Sequence, residues 1–196
     1  KRFAYNNFDK KLFKNLQNSE NIISQISEQL NISCTIVRPT MIYGKSGEYR
    51  DKNFSLIKKA LRYFPLLPLP MSNGLRQPIH CNQLSRVVLN YAYKICENKK
   101  NSIKKVEVIN VGGDEEIKYF EMVVKIQKSL SIDDPGRFCW VFLVPDSIFI
   151  LLGIVSILKS KKLFESLLRI STDMNGFIPS YKIIGGGKIK VPLIKQ

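Results

Sequence analysis

Two rhythms of apolar and polar positions run along this chain, and the switches between them mark out its elements. From residue 19 to 30, Ile22, Ile23, Ile26 and Leu30 recur at helical spacing with polar residues between them, which predicts an amphipathic helix packed on a sheet. Residues 33–37 then read as a short buried strand. A second helix is predicted over 53–64, with Phe54, Ile57 and Leu61 inward and Lys58, Lys59 and Arg62 outward. Pro65, Pro68 and Pro70 break it into an extended segment. The turn Ser72-Asn73-Gly74 leads to a strand over 76–80, and Asn82 is placed to cap a helix carrying Leu84, Val87, Val88, Tyr91 and Ile95. A strand over 106–111 and a helix over 117–130 follow. This alternation of strands and helices indicates an α/β fold.

Beyond residue 135 the pattern changes. The run Val141-Phe142-Leu143-Val144-Pro145-Asp146 and residues 147–158 are strongly apolar, and Lys159, Lys161 and Lys162 follow at once. A spanning helix needs about 20 apolar residues, and Pro145-Asp146 interrupts the run before that length. Residues 141–162 therefore read as a helix buried against the fold or a subunit partner, as one lying on a membrane surface, or least simply as a span. The chain divides into an α/β part, 1–134, and an apolar, basic, helical C-terminal extension, 135–196.

Charge narrows the function classes. With 31 lysines and arginines against 16 acidic residues the formal charge is +15, which favours an anionic partner. The lysines are spread over most of the chain and do not form the aromatic-studded basic face of an RNA-recognition module, so nucleic acid is not the expected ligand. The cysteines Cys34, Cys81, Cys96 and Cys139 lie far apart, with His80 the only histidine. That spacing predicts neither a metal site nor a disulfide framework, and a reducing, cytoplasmic setting fits it.

Two segments carry specific chemistry. Thr35-Ile36-Val37-Arg38-Pro39-Thr40-Met41-Ile42-Tyr43-Gly44 is a strand ending in Arg-Pro and an irregular turn closing on Tyr-Gly, and Leu75-Arg76-Gln77-Pro78-Ile79-His80 is a strand running into a helix. At this spacing they resemble the C-terminal half of the extended short-chain dehydrogenase/reductase family, the NAD(P)-dependent nucleotide-sugar epimerases and dehydratases. The resemblance covers roughly residues 1–130. It implies the C-terminal portion of a Rossmann-like fold with a small substrate-binding subdomain. That family opens with a Gly-x-x-Gly-x-x-Gly loop at a helix N-terminus, where backbone amides meet the cofactor pyrophosphate. No such loop occurs in this sequence. Gly112-Gly113 precede Asp114 and two glutamates, which would repel a pyrophosphate, and read as a strand-to-helix turn. Gly185-Gly186-Gly187 lack the Lys-Ser/Thr ending of a P-loop and read as a flexible turn. The cofactor-binding half is expected to lie upstream of this sequence.

The resemblance also assigns residues. The family's catalytic Tyr-x-x-x-Lys pair, in which the lysine lowers the tyrosine pKa, falls on Leu16 and Glu20, and neither can do that work. Tyr5 has no lysine four positions on, and Glu20 is expected to be a solvated helix residue. No catalytic residue is therefore expected here. Pro39 matches the position beside the nicotinamide of NAD or NADP, Asn53 an asparagine that contacts the nucleotide-sugar phosphate or else a plain N-cap, and Arg76 the arginine that grips the diphosphate. His80 is expected to pack or hydrogen-bond, and Tyr43 to pack beneath the turn at Gly44. Two functions follow. One is the substrate side of a nucleotide-sugar epimerase, dehydratase or reductase; the other is a non-catalytic relative serving as a binding or assembly subunit, on a membrane surface through 141–162 or as a homodimer. Fold alone does not choose between them.

Overall fold

The computed structural model describes residues 7–97, 106–157 and 169–188. The first helix, α1, runs over Asn7–Gln29, twelve residues earlier in its start than the apolar pattern suggested. Its orientation is the reverse of the expected one. Ile22, Ile23, Ile26 and Leu30 are exposed, while Ser27 is buried and donates its hydroxyl to the Ile23 carbonyl at 2.7 Å. Small serines let the helix lie close to the sheet, so the stripe read as core faces outward. Strand β1, Cys34–Pro39, follows and reaches two residues further than predicted, taking Arg38 and Pro39 into the ladder.

The turn after β1 is built from short strands, β2 at Ile42–Tyr43, β3 at Lys45–Ser46 and β4 at Tyr49–Arg50, the last two an antiparallel pair. Helix α2 spans Lys52–Tyr63. Its cap is Asp51, whose carboxylate accepts the Phe54 amide at 2.6 Å, so Asn53 is not the N-cap. The proline-rich segment forms strand β5, Leu66–Pro70, and the expected strand over 76–80 is split into β6, Leu75–Arg76, and β7, Ile79–His80, by Gln77-Pro78. Helix α3, Cys81–Glu97, is capped by His80 and not by Asn82: the Asn82 amide donates to His80 Nδ1 at 3.2 Å, and the His80 amide donates to Gln83 Oε1 at 3.0 Å. This is a reciprocal capping box with histidine in the serine position. Strand β8, Val106–Gly112, strand β9, Ile117–Lys118, and helix α4, Tyr119–Lys128, complete the α/β part.

The C-terminal third is not a helical extension. Strand β10, Trp140–Val144, pairs in parallel with β5, and β11, Ile178–Pro179, pairs in parallel with β8. Only helix α5, Asp146–Ile157, and the single turn α6, Ser180–Ile184, are α-helical among its described residues. Val141 and Leu143 sit in a strand because their partners Leu67 and Leu69 offer a ladder, which no local pattern reveals. The basic flank Lys159–Lys162 and Tyr5 lie outside the described residues. Among those described, no helix is long and apolar enough to cross a membrane.

Two cores hold these pieces. Phe54, Ile57 and Leu61 of α2 meet Met122, Val123 and Ile126 of α4, with Tyr43, Leu69 and Cys139 filling between them. The smaller core gathers Ile79, Val87, Ile109 and Val111, with Ile183 and Ile184 of α6 against it. The principal sheet is parallel with the order β1-β8-β11, so β8 is central and β1 an edge strand. All four cysteines are free.

Candidate substrate and cofactor site

The carboxyl ends of β1 and β8 lie side by side, with Arg38 opposite Asn110 and Pro39 opposite Val111. In open α/β sheets ligands bind outside such strand ends. Here those ends are tied to the segment between β6 and β7. Thr40 donates its amide to the Val111 carbonyl at 3.0 Å and its hydroxyl to the Gln77 carbonyl at 2.5 Å, and the Gly113 amide donates to the same Gln77 carbonyl at 3.2 Å. Gln77 itself is buried. Its Nε2 donates to the carbonyls of Gly113 (2.8 Å) and Phe177 (3.1 Å), and its Oε1 accepts the Phe177 amide at 3.0 Å. One side chain thus joins the end of β8 to the approach of β11.

A second polar knot adjoins it. Asp114 accepts from the Ser180 hydroxyl at 2.6 Å, the Tyr181 amide at 2.9 Å and Gln83 Nε2 at 3.1 Å, so it holds the start of α6. Asp114 therefore serves the fold, in keeping with Gly112-Gly113 as a turn. The glycines are required by close approach: a Cβ on Gly113 would stand 1.9 Å from the Pro78 oxygen, and one on Gly112 would stand 2.6 Å from Gln77 Cδ.

Of the expected site residues, Arg76 has an unexpected setting. It is 3% exposed, with Nη1 donating to the carbonyls of Leu75 (2.8 Å) and Thr172 (2.5 Å) and Nη2 to those of Arg169 (2.6 Å) and Ile170 (3.4 Å). Its guanidinium carbon also lies 5.3 Å from the centre of the Tyr119 ring. Burial pulls its pKa below the ordinary arginine value. In this conformation the fork that would grip a diphosphate clamps residues 169–172 instead. Asn53 is exposed in the first turn of α2, and Pro39 is exposed at the end of β1. No hydrogen bond or ion pair joins any two of Pro39, Asn53 and Arg76.

Leu16 and Glu20 both lie on α1, Leu16 being 57% exposed. Glu20 is not simply solvated. It accepts from Arg38 Nε at 2.8 Å and from Arg38 Nη2, and this paired hydrogen bond holds its carboxyl below the ordinary glutamate value. The described residues therefore fit the lining part of a nicotinamide site, through Pro39, and do not fit the proton-transfer part. Leu16 has no titratable group, and Glu20 is an anion already committed to Arg38.

Sequence reasoning read Tyr43 and His80 correctly as packing residues. The Tyr43 ring stacks on Phe54 at 4.8 Å and meets the His80 ring edge-on at 5.1 Å. Gly44, at φ 113°, leaves room there, since a Cβ would come within 2.7 Å of His80 Nε2. Burial lowers the His80 pKa, in keeping with a neutral imidazole whose Nδ1 accepts the capping bond. The Tyr43 hydroxyl is buried with no hydrogen-bond partner, and burial first, then Glu115 and Asp114, raise its pKa. Tyr43→Phe is accordingly expected to be neutral or to stabilise by about 1 kcal/mol, because it removes an unpaired buried hydroxyl and keeps the stacked ring. A lowered melting temperature would mean that the hydroxyl has a partner in solution.

The residues that sequence reasoning missed are Gln77 and Asp114. A signal for the first was available, a neutral polar residue inside an otherwise apolar strand motif. For Asp114 there was none, because its partners lie more than sixty residues away.

No protein-family model and no curated protein sequence matches this chain. Solved structures do resemble it in fold. UDP-glucose 4-epimerase from Bifidobacterium longum, determined with NAD+ and UDP, aligns over 90% of this chain and 49% of its own length at 12% identity, with a TM-score of 0.52. UDP-glucuronic acid 4-epimerase from Bacillus cereus, determined with NAD, aligns over 86% of this chain and 44% of its own length at 16% identity and a TM-score of 0.47. UDP-N-acetylglucosamine 4-epimerase from Bacillus cereus aligns over 64% and 40% at 13% identity and 0.44. The chain thus spans about half the length, or less, of the structures it matches. The fold is mixed α/β with parallel sheets, of the Rossmann-like epimerase type.

Proposed function

We propose that this chain is the substrate side of a protein related to the NAD-dependent nucleotide-sugar epimerases and dehydratases, with a UDP-sugar or a similar nucleotide-diphosphate sugar as its ligand. The observation that carries the reading is the agreement in fold over 90% of the chain with an epimerase determined with NAD+ and UDP. Asn53, exposed at the opening of α2, is the residue we expect on the ligand phosphate, and Pro39 the one beside the nicotinamide of NAD or NADP. Arg76 can join them only by giving up its carbonyls.

A second reading is a binding or assembly subunit of the same fold without catalysis. It is favoured by Leu16 and by the Glu20–Arg38 pair, which occupy the positions where the family holds its acid–base dyad. Calorimetric titration tests both readings. UDP-glucose should bind the chain, Asn53→Ala should weaken it roughly tenfold or more, as loss of a hydrogen bond to a charged group does, and NAD should give no resolved heat. No UDP-glucose binding overturns the substrate-side reading. Micromolar NAD binding overturns the placing of the cofactor's main contacts outside this sequence. Binding without turnover, with the dinucleotide-binding half supplied, selects the second reading.

A further inference from the structure

The β5–β10 ribbon carries a surface that nucleotide-sugar binding does not explain. Val141 and Leu67, side by side in the ladder, pack against the larger core. Alternation along a strand then turns Leu66, Pro68, Trp140 and Phe142 to the other side. Trp140 and Phe142 touch there, their ring centres 5.1 Å apart. At the amino end of the ribbon Tyr63 is 79%, Phe138 76% and Trp140 66% exposed, and Phe64 and Leu66 are exposed beside them. The Trp140 amide donates to the Pro65 carbonyl at 2.8 Å, and the Arg62–Asp134 ion pair ties α2 to the 3₁₀ turn Pro135–Phe138, so these residues form one surface.

Helix α5 packs on β5 and adds to this surface. Its sequence from Ser147 to Ile157 has no charged residue and no polar stripe. Phe149 is buried, while its neighbours Ile148, Ile150 and Leu151 are exposed on the flanks. A soluble helix hides one face and wets the other; one that is apolar all round needs an apolar environment on both. At 12 residues, about 18 Å, it is too short to span a bilayer.

We infer that the aromatic end of the β5–β10 ribbon and helix α5 together form a face that docks on an anionic lipid surface. Three features select lipid over a protein partner. Tryptophan, tyrosine and phenylalanine are the side chains suited to the headgroup boundary. The polar rim is basic: Lys59 and Arg62 precede Tyr63 and Phe64, Arg137 precedes Phe138, Lys159, Lys161 and Lys162 follow α5 in sequence, and the whole chain carries +15. Asp134, the acid nearest the aromatics in sequence, is already neutralised by Arg62. A remaining part of a dinucleotide-binding fold would add to the free edge of β1, which belongs to a different sheet. The face is therefore spare even if the function proposed above is right, and its test does not depend on it.

Trp140 is the only tryptophan, so it reports on its own face. With vesicles of phosphatidylcholine and phosphatidylserine at low salt, its emission should move to shorter wavelength and be quenched by brominated acyl chains. Raising the salt should weaken both effects, since attraction between exposed charges is screened beyond about 10 Å at 0.1 M. The double variant Ile150→Glu/Leu151→Glu and, separately, Phe138→Ser should lose the response with unchanged circular dichroism; both alter exposed positions, so folding should survive. Unchanged emission of the wild-type chain with vesicles overturns the inference. So does a response that persists in both variants, or a stable dimer in sedimentation that these variants dissociate, which would assign the face to a second copy.

Discussion

Arg76→Ala is expected to destabilise the protein by about 3 kcal/mol or more, in a residue that sequence resemblance marks as a ligand contact. The guanidinium donates to four carbonyls, three of them from residues 169–172, and a buried acceptor left unpaired costs about 1–3 kcal/mol. Partial rehydration keeps the total below the sum of four such terms. Loss of the contact with the Tyr119 ring adds to it. Arg76→Lys should recover only part, because an ammonium cannot span the same four oxygens as a planar fork. Urea denaturation of the three proteins measures the ranking. If instead stability holds in both variants while UDP-glucose affinity falls, the guanidinium leaves its carbonyls for the ligand, and the diphosphate role implied by the Arg-x-Pro-Ile-His motif is the correct one.

That contrast shows how far the sequence could be read. Helices α2 and α4 were legible because their apolar residues repeat on one face and do form the core. Strand β8 was legible as an apolar run closed by glycines. Helix α1 was legible as a helix and misleading as to orientation, since the periodicity that gives a helix does not say which neighbour covers its apolar side. Strands β10 and β11 were invisible for a different reason: each exists only through a partner distant in the chain, Leu66–Pro70 for one and Val111-Gly112 for the other. The same holds for the site. Residue types named Pro39, Asn53 and Arg76, but only the fold shows that Arg76 is engaged by residues 93 to 96 positions away and that Glu20 is paired with Arg38. Asp51 and His80 took the capping roles assigned to Asn53 and Asn82, because a cap is decided by backbone geometry at the helix start and several side chains there can fill it.

Gly113→Ala should be the most damaging of the small substitutions. The added Cβ would stand 1.9 Å from the Pro78 oxygen and 2.8 Å from its carbonyl carbon, backbone atoms that no rotamer change can move. Moving the chain apart is also obstructed. The Gly113 amide donates to the Gln77 carbonyl, its carbonyl accepts from Gln77 Nε2, and Gln77 is held in turn by Phe177. Relief of the clash therefore breaks the link between β8 and the β11 segment, so the loss should reach or exceed the upper end of the roughly 1–3 kcal/mol usual for overpacking. Gly187→Ala is the control, because a Cβ there meets nothing within 4 Å. It should be close to neutral. Thermal unfolding of both variants, with hydrogen exchange at Phe177 and Ile178, checks the size and the location of the effect. Equal stability of the two would show that Gly113 is not wedged against Pro78. A stable Gly113→Ala protein that had lost affinity for a dinucleotide would point to the opposite conclusion from the one drawn here, namely that Gly112-Gly113 approach a phosphate and not a neighbouring strand.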